Sequence, residues 1–188
     1  MRVIAGIYKG HKLEAVPGKT TRPTSDKVKE AVFQALGPFF EGGRCLDLFA
    51  GSGALGIEAL SRGMNQGIFV DKHPKAIHTI HKNLQALKLD DHAEVFRTDS
   101  FRAMNAAFKR GLTFDLILLD PPYQKVSYGK VLDLIDDFQL LNTDGLIYCE
   151  HDAFEQLPAE SGRFSIAKQA NYNDTTGITI YQNTKGAV

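Results

Sequence analysis

The chain has 188 residues, 43% of them hydrophobic, with 22 Lys and Arg balancing 22 Asp and Glu. That size suits one domain over residues 1–188 able to bury its own core, and zero net charge argues against a polycation that coats nucleic acid indiscriminately. No run of about 18 apolar residues occurs, and MRVIAGIYKGHK lacks the apolar centre of a signal peptide, so a cytoplasmic protein without membrane contact is expected.

The charge is unevenly placed. Residues 1–29 hold seven Lys or Arg against Glu14 and Asp26, whereas residues 133–160 hold eight acids and no Lys or Arg. A polyanion would be drawn to one end and repelled from another.

Taken in order, residues 2–16 read as a β-hairpin turning near Lys9-Gly10, closed by Pro17-Gly18, so that 1–20 form a small N-terminal extension. Thr24 or Ser25 then suits an N-cap, followed by apolar positions Val28, Ala31, Val32, Ala35 and Leu36 on one helical face. Arg22 and the Thr24 hydroxyl could grip a phosphate or simply cap that helix, and both can hold at once. With Lys9 and Lys12 they are the candidate contacts to a phosphate-bearing partner.

Residues 44–60, RCLDLFAGSGALGIEAL, read as a strand, a glycine turn and a helix. Gly51, Gly53 and Gly56 form G-x-G-x-x-G, which lets backbone N–H groups face an anion at the helix N-terminus. Asp47 lies within the strand. Twenty residues after Gly51 the apolar run 67–70 ends in Asp71, placed to accept hydrogen bonds from a ribose diol. A helix starting at Pro74 buries Ala76, Ile77, Ile80, Leu84 and Leu87. His78 and His81 fall off that stripe with no third ligand nearby, so no metal site is expected. A strand over 93–97 leads through Asp99 into a helix over 101–110.

FDLILL, 114–119, is the most continuous apolar strand, as a strand buried on both faces of a parallel sheet should be. It ends in Asp120-Pro121-Pro122-Tyr123. A helix over 128–138 and a strand over 145–150 follow, then β segments over 163–169 and 177–182. The order predicts an α/β doubly wound sheet, mostly parallel with an antiparallel C-terminal edge. Cys45 and Cys149 fall inside predicted strands and read as small buried hydrophobes.

Asp-Pro-Pro-Tyr at the end of the fourth strand belongs where open α/β sheets place ligands, beside the glycine loop. Neither proline has an N–H, so the Asp120 carboxylate and a carbonyl near Pro121 form a rigid acceptor pair for an exocyclic –NH₂, and Tyr123 offers a face on which a base can stack. Two acceptors can aim the amine lone pair at a sulfonium methyl while the carboxylate stabilises the charge that develops on nitrogen.

L-D-L-F-A-G-S-G-A-L-G-I-E-A-L-S-R-G together with D-P-P-Y resembles the class I S-adenosylmethionine-dependent methyltransferases, with their Rossmann-like sheet. Arg22-Pro-Thr-Ser-Asp-Lys-Val-Lys-Glu and the N-terminal segment narrow the likeness to the bacterial 16S rRNA guanine-N2 methyltransferase family over essentially the whole chain. The resemblance implies S-adenosylmethionine as cofactor, with Gly51 and Gly53 shaping its loop, Asp47 near the methionine amine, Asp71 on the ribose and Asp99 on the adenine amine. It places Asp120, Pro121 and Tyr123 at the target guanine, position 966 of 16S rRNA, within the small ribosomal subunit or an assembly intermediate.

Other readings stay open. A nicotinamide dehydrogenase would more often begin at the glycine loop and continue into a second domain. DNA adenine or cytosine amino-methyltransferases share D-P-P-Y, but the chain leaves no room for a groove-reading domain. Glutamine-methylating enzymes usually carry Asn in place of Asp120, and a binding module without catalysis would keep only the loop.

Overall fold

The computed structural model describes residues 1–18, 26–122, 125–172 and 174–184. Five parallel strands come first in space: β3 (Ala93–Arg97), β2 (Gln66–Asp71), β1 (Arg44–Asp47), β4 (Phe114–Leu119) and β5 (Leu141–Asp152). β8 (Thr176–Asn183) then pairs antiparallel with β5, β7 (Phe164–Asn171) antiparallel with β8, and the two-residue β6 (Glu160–Ser161) lies outermost. The predicted sheet is therefore the observed one, and the last strand inserts between β5 and β7.

Helices cover both faces, because parallel strands need crossovers. On one face α1 (Asp26–Leu36), α2 (Ala54–Ser61) and α3 (Pro74–Ala86) bury Val32, Phe33, Leu36, Ile57, Leu60, Ile80 and Leu84 against Cys45, Phe69, Leu116, Leu118 and Tyr148. On the other, α4 (Ser100–Lys109) and α5 (Tyr128–Asp137) bury Met104, Val131, Leu132 and Ile135 against Leu46, Leu48, Ile117 and Leu119. Successive residues of β4 feed opposite cores, which is why FDLILL shows no alternation. Cys45 and Cys149 are buried free thiols.

Two sequence expectations need correction. The hairpin over 2–16 reduces to a single antiparallel bridge, Arg2 to Lys12, around a turn in which Gly6 and Gly10 take positive φ. The backbone groups a ladder would use are taken by α2 instead: Ile4 and Ala5 N–H both donate to the Glu58 carboxylate at 2.9 Å, and Ile7 and Tyr8 N–H donate to Ser61 O and Oγ. β5 also starts four residues before the predicted Gly145, since Leu141 already pairs with Phe114 ahead of an irregularity in register.

Glu58 and Arg62, both fully buried, explain how this segment is held. Arg62 Nε donates to Glu58 at 2.8 Å, its NH2 group to Glu30 at 2.7 Å, and its plane stacks over Phe33. Lys29 Nζ lies 3.3 Å from Glu58 and donates to Arg2 O. Lys29, one of the seven basic residues in 1–29, is thus withdrawn from the surface that would meet a polyanion, and burial pushes its pKa down.

Candidate active site

Register sets the site. Cys45, Leu46 and Asp47 of β1 pair with Leu116, Ile117 and Leu118 of β4, and Leu48 N–H donates to Leu118 O at 3.2 Å. The glycine loop and Asp120 thus leave neighbouring strands at the same edge, at the point where strand order reverses from β2-β1 to β4-β5.

The loop is tight. Gly53 N–H donates to Ala50 O at 2.7 Å, and Gly51 and Gly53 have φ of 56° and 82°, a region costly for residues with a Cβ. A Cβ built on Gly51 meets nothing within 4 Å, so this glycine borders open space that a ligand can enter. Gly56 serves differently from the sequence expectation. Its N–H donates to Asp47 Oδ2 at 3.2 Å rather than facing an anion, and a Cβ there would lie 2.4 Å from Phe69 Cε1, so this glycine lets α2 pack closely on β2.

Carboxylates stand within two residues of the C-terminal ends of all five parallel strands. Across the sheet they run Asp99, Asp71, Asp47, Asp120, Glu150. Asp71 accepts from Gly51 N–H at 3.0 Å and His73 N–H at 2.8 Å, tying the loop to the start of α3 while each oxygen keeps a second lone pair. Asp99 caps α4 through Arg102 N–H at 3.0 Å. Asp47 is 2% exposed, and its Oδ1 has no hydrogen-bond partner among the described residues. Burial lifts its pKa to about 7 against the opposing backbone donors of Gly56 and Phe49, with the Asp71 charge adding to the rise. A buried carboxylate oxygen lacking a donor suits an ammonium group, which supplies both the hydrogen bond and the countercharge.

Asp120 is partly accessible and Pro121 is buried. Beyond them the chain passes a cavity of about 580 Å³ lined by Lys125, Val126, Ser127, Asp152, Phe154 and Glu155, with Phe154 85% exposed. Tyr123, Arg22 and Thr24 lie outside the described residues. Lys12 and Lys9 are exposed but separated. Lys12 bridges Arg2 two residues before Glu14, whose N–H and O bind the Asn83 amide, and that amide also donates to Ser52 O in the glycine loop at 2.9 Å. Lys9 sits in the turn docked on Ser61, at the opposite end of α2. The structure therefore joins Asp47, Gly51, Gly53, Asp71 and Asp120 along one edge, with Asp99 at its flank, and leaves Lys9 away from it.

Sequence reading missed Glu150 and Asn83. The end of the predicted strand 145–150 would have marked Glu150; Asn83 gives no signal, because nothing local distinguishes a buried helical amide.

Among the described residues no helix is long and apolar enough to cross a membrane, and no group of three or more His, Cys, Asp or Glu is placed to hold a metal ion.

A family model described as Conserved hypothetical protein 95 matches residues 1–182. YlbH of Bacillus subtilis (strain 168) is 52% identical over 182 residues, covering 97% of this chain and 98% of its own. Ribosomal RNA small subunit methyltransferase D of Haemophilus influenzae is 34% identical over 183 residues, covering 97% and 92%. The solved structure of yhhF from Escherichia coli superposes with a TM-score of 0.81 at 32% identity, covering 97% of each chain.

Proposed function

Because the chain belongs to the Conserved hypothetical protein 95 family, whose members include small subunit rRNA methyltransferases, we propose that its crevice methylates the exocyclic N2 of a guanine in 16S rRNA, at position 966. The coarser activity is S-adenosylmethionine-dependent rRNA methylation. The observation that supports methyl transfer to an exocyclic amine is the placement of Asp120 and the glycine loop on adjacent strands at one edge; guanine and its position follow from the family resemblance.

The residues present fit the methyl donor. Asp47 Oδ1 offers the unpartnered buried acceptor that an ammonium requires, Gly51 borders open space, and Asp71 retains lone pairs for ribose hydroxyls. Asp99 stands beside Asp71 for the adenine amine. When bound, the donor supplies a methyl group activated by its sulfonium.

Asp120 performs the remaining task. Its carboxylate accepts one amine hydrogen while a carbonyl near Pro121 accepts the other, which holds nitrogen pyramidal and turns its lone pair toward the donor. As the nitrogen becomes positive the carboxylate stabilises it, and the proton leaves afterwards without a strong base. Pro121 is buried and rigid, so this aim costs little reorganisation. Tyr123 supplies a stacking face. The adjoining cavity of about 580 Å³ has a volume suited to a nucleotide, and its carboxylates Asp152 and Glu155 favour a base edge over a phosphate. Lys12 and, outside the described residues, Arg22 and Thr24 receive phosphates, with Lys9 engaging RNA that extends over α2. Such a base must be splayed out to reach the crevice, which RNA in a partly assembled subunit allows at low cost, and a cytoplasmic protein would meet such a substrate.

The test is transfer of labelled methyl from S-adenosylmethionine to free 16S rRNA, small subunits and DNA, with mass spectrometry of the digested product. N2-methylguanine in rRNA supports the reading. Methylation of DNA adenine or cytosine alone overturns it. Asp120→Ala is expected to lower turnover at least a thousandfold while changing donor affinity by less than about threefold, as expected for a group acting mainly in the transition state.

A further inference from the structure

Methylating a guanine amine poses a selection problem that Asp120 does not solve. Adenine and cytosine also carry exocyclic –NH₂ groups with two donors, so an acceptor pair on the amine accepts all three bases. The difference lies next door. In guanine one of the two ring nitrogens flanking the amine is N1–H, a donor, whereas in adenine and cytosine the one ring nitrogen beside the amine is an acceptor.

Glu150 is placed to read that atom. The last register pair of β4 and β5 is Leu119 with Cys149, so Asp120 and Glu150 are the next residues on neighbouring parallel strands, a strand spacing of about 4.8 Å apart. Guanine N1 and N2 lie closer together than that, so side chains leaving these two neighbouring backbone positions on the same face of the sheet can converge on adjacent atoms of one base edge.

Glu150 is also held. Tyr148, fully buried, donates its hydroxyl to Glu150 Oε2 at 2.8 Å, and Tyr128 donates its hydroxyl to Glu150 O. Burial, with the charges of Glu150 and Asp120 adding to it, pushes the Tyr148 phenol far up, so it stays a donor. Glu150 itself is 7% exposed, which makes hydrogen bonds at its carboxylate poorly replaceable by water.

Resting on the guanine reading above, we infer that Glu150, oriented by Tyr148, is the specificity-determining residue of the site: its carboxylate accepts N1–H of the target guanine beside the amine held by Asp120. Adenine and cytosine would set a ring-nitrogen lone pair against the carboxylate. Tyr148 is a positioning residue.

The test uses small subunits reconstituted with 16S rRNA carrying guanine or 2-aminopurine at the methylated position. 2-Aminopurine keeps the 2-amine but has an unprotonated N1. Wild-type protein is expected to favour guanine in kcat/KM, and Glu150→Gln to shrink that preference roughly 10- to 100-fold, because the amide can donate to N1 and because hydrogen bonds to charged groups carry factors of this size. Donor affinity stays unchanged. Tyr148→Phe, which keeps the carboxylate, is expected to lower kcat/KM on guanine several-fold with little effect on 2-aminopurine; it serves as the readout should Glu150→Gln fail to fold. A folded Glu150→Gln that keeps the wild-type preference, or a Tyr148→Phe that slows both substrates equally, overturns the assignment while wild-type production of N2-methylguanine leaves the guanine reading intact. Wild-type methylation of a base other than guanine overturns both.

Discussion

Asp47 makes the sharpest quantitative prediction, because its environment favours opposite protonation states with and without ligand. Burial raises its pKa from 3.8 to about 7, and one oxygen has no donor among the described residues. Between those two pH values the folded protein holds a proton that the unfolded chain has released, so stability falls as pH rises through this window and levels off above about 7. At about 1.36 kcal/mol for each factor of ten, the full effect is on the order of 4 kcal/mol, a large share of a small domain's stability. Asp47→Asn removes the titration. The amide still accepts from Gly56 N–H but leaves an unpaired NH₂ costing about 1–3 kcal/mol, so the pH slope and not the absolute stability discriminates. The assay is urea unfolding of ligand-free protein at half-unit steps from pH 5 to 8. Wild type should lose stability across that range, and Asp47→Asn should be flat by comparison. Calorimetry adds the converse: S-adenosylmethionine should bind wild type about fivefold more weakly at pH 6 than at pH 7, since a proton must leave Asp47, and the variant should lose this dependence along with much of its affinity. Equal slopes for the two proteins would show that Asp47 is not held protonated by burial and would remove the argument that it awaits an ammonium.

Other perturbations test the scaffold and the RNA contacts. Gly56→Ala sets a Cβ 2.4 Å from Phe69 Cε1, a ring with no exposed surface, and is expected to cost about 1–3 kcal/mol in thermal unfolding; a neutral result would mean that α2 slides freely on β2. Glu58→Gln removes the carboxylate that pairs with both buried Lys29 and Arg62, leaving Arg62 its bond to Glu30, and should cost about 3–5 kcal/mol in denaturant while exposing residues 4–8 to limited proteolysis. Loss of less than about 1 kcal/mol would show the N-terminal segment to be anchored elsewhere. Replacing Lys9, Lys12 and Arg22 together by glutamine should weaken RNA binding and flatten its salt dependence by roughly 0.7–0.9 in log–log slope per lost phosphate contact. An unchanged slope would mean that these side chains are merely solvated.

Much of the fold was legible because its determinants are local. Period-3.6 apolar stripes marked α1, α3 and α5, and a strand buried on both faces announces itself in FDLILL without reference to any neighbour. The end of β4 and the glycine loop carried enough chemistry in their residue types to suggest one crevice. What local pattern could not supply was everything depending on pairing. The N-terminal residues alternate well enough for a hairpin, yet Glu58, more than fifty residues on, takes their N–H groups. Nothing near Lys29 in the sequence tells it from the other six basic residues of 1–29, yet its pairing with Glu58 holds it inside. Gly56 fitted an anion-binding motif, but its N–H and its missing Cβ answer to Asp47 and Phe69.

The chain by itself thus determined the helices and the parallel strands up to a few residues at their ends, and that Asp47, Asp71 and Asp120 stand at the ends of theirs, since those follow from spacing and side-chain type within a few residues. Only the tertiary structure decided that β1 and β4 lie side by side, that Asp47 keeps an unpartnered oxygen in the interior, and that Glu150 stands next to Asp120. Register and burial are relations between residues distant in sequence. They come into being when the strands pair and water is excluded, and no stretch of the chain contains them on its own.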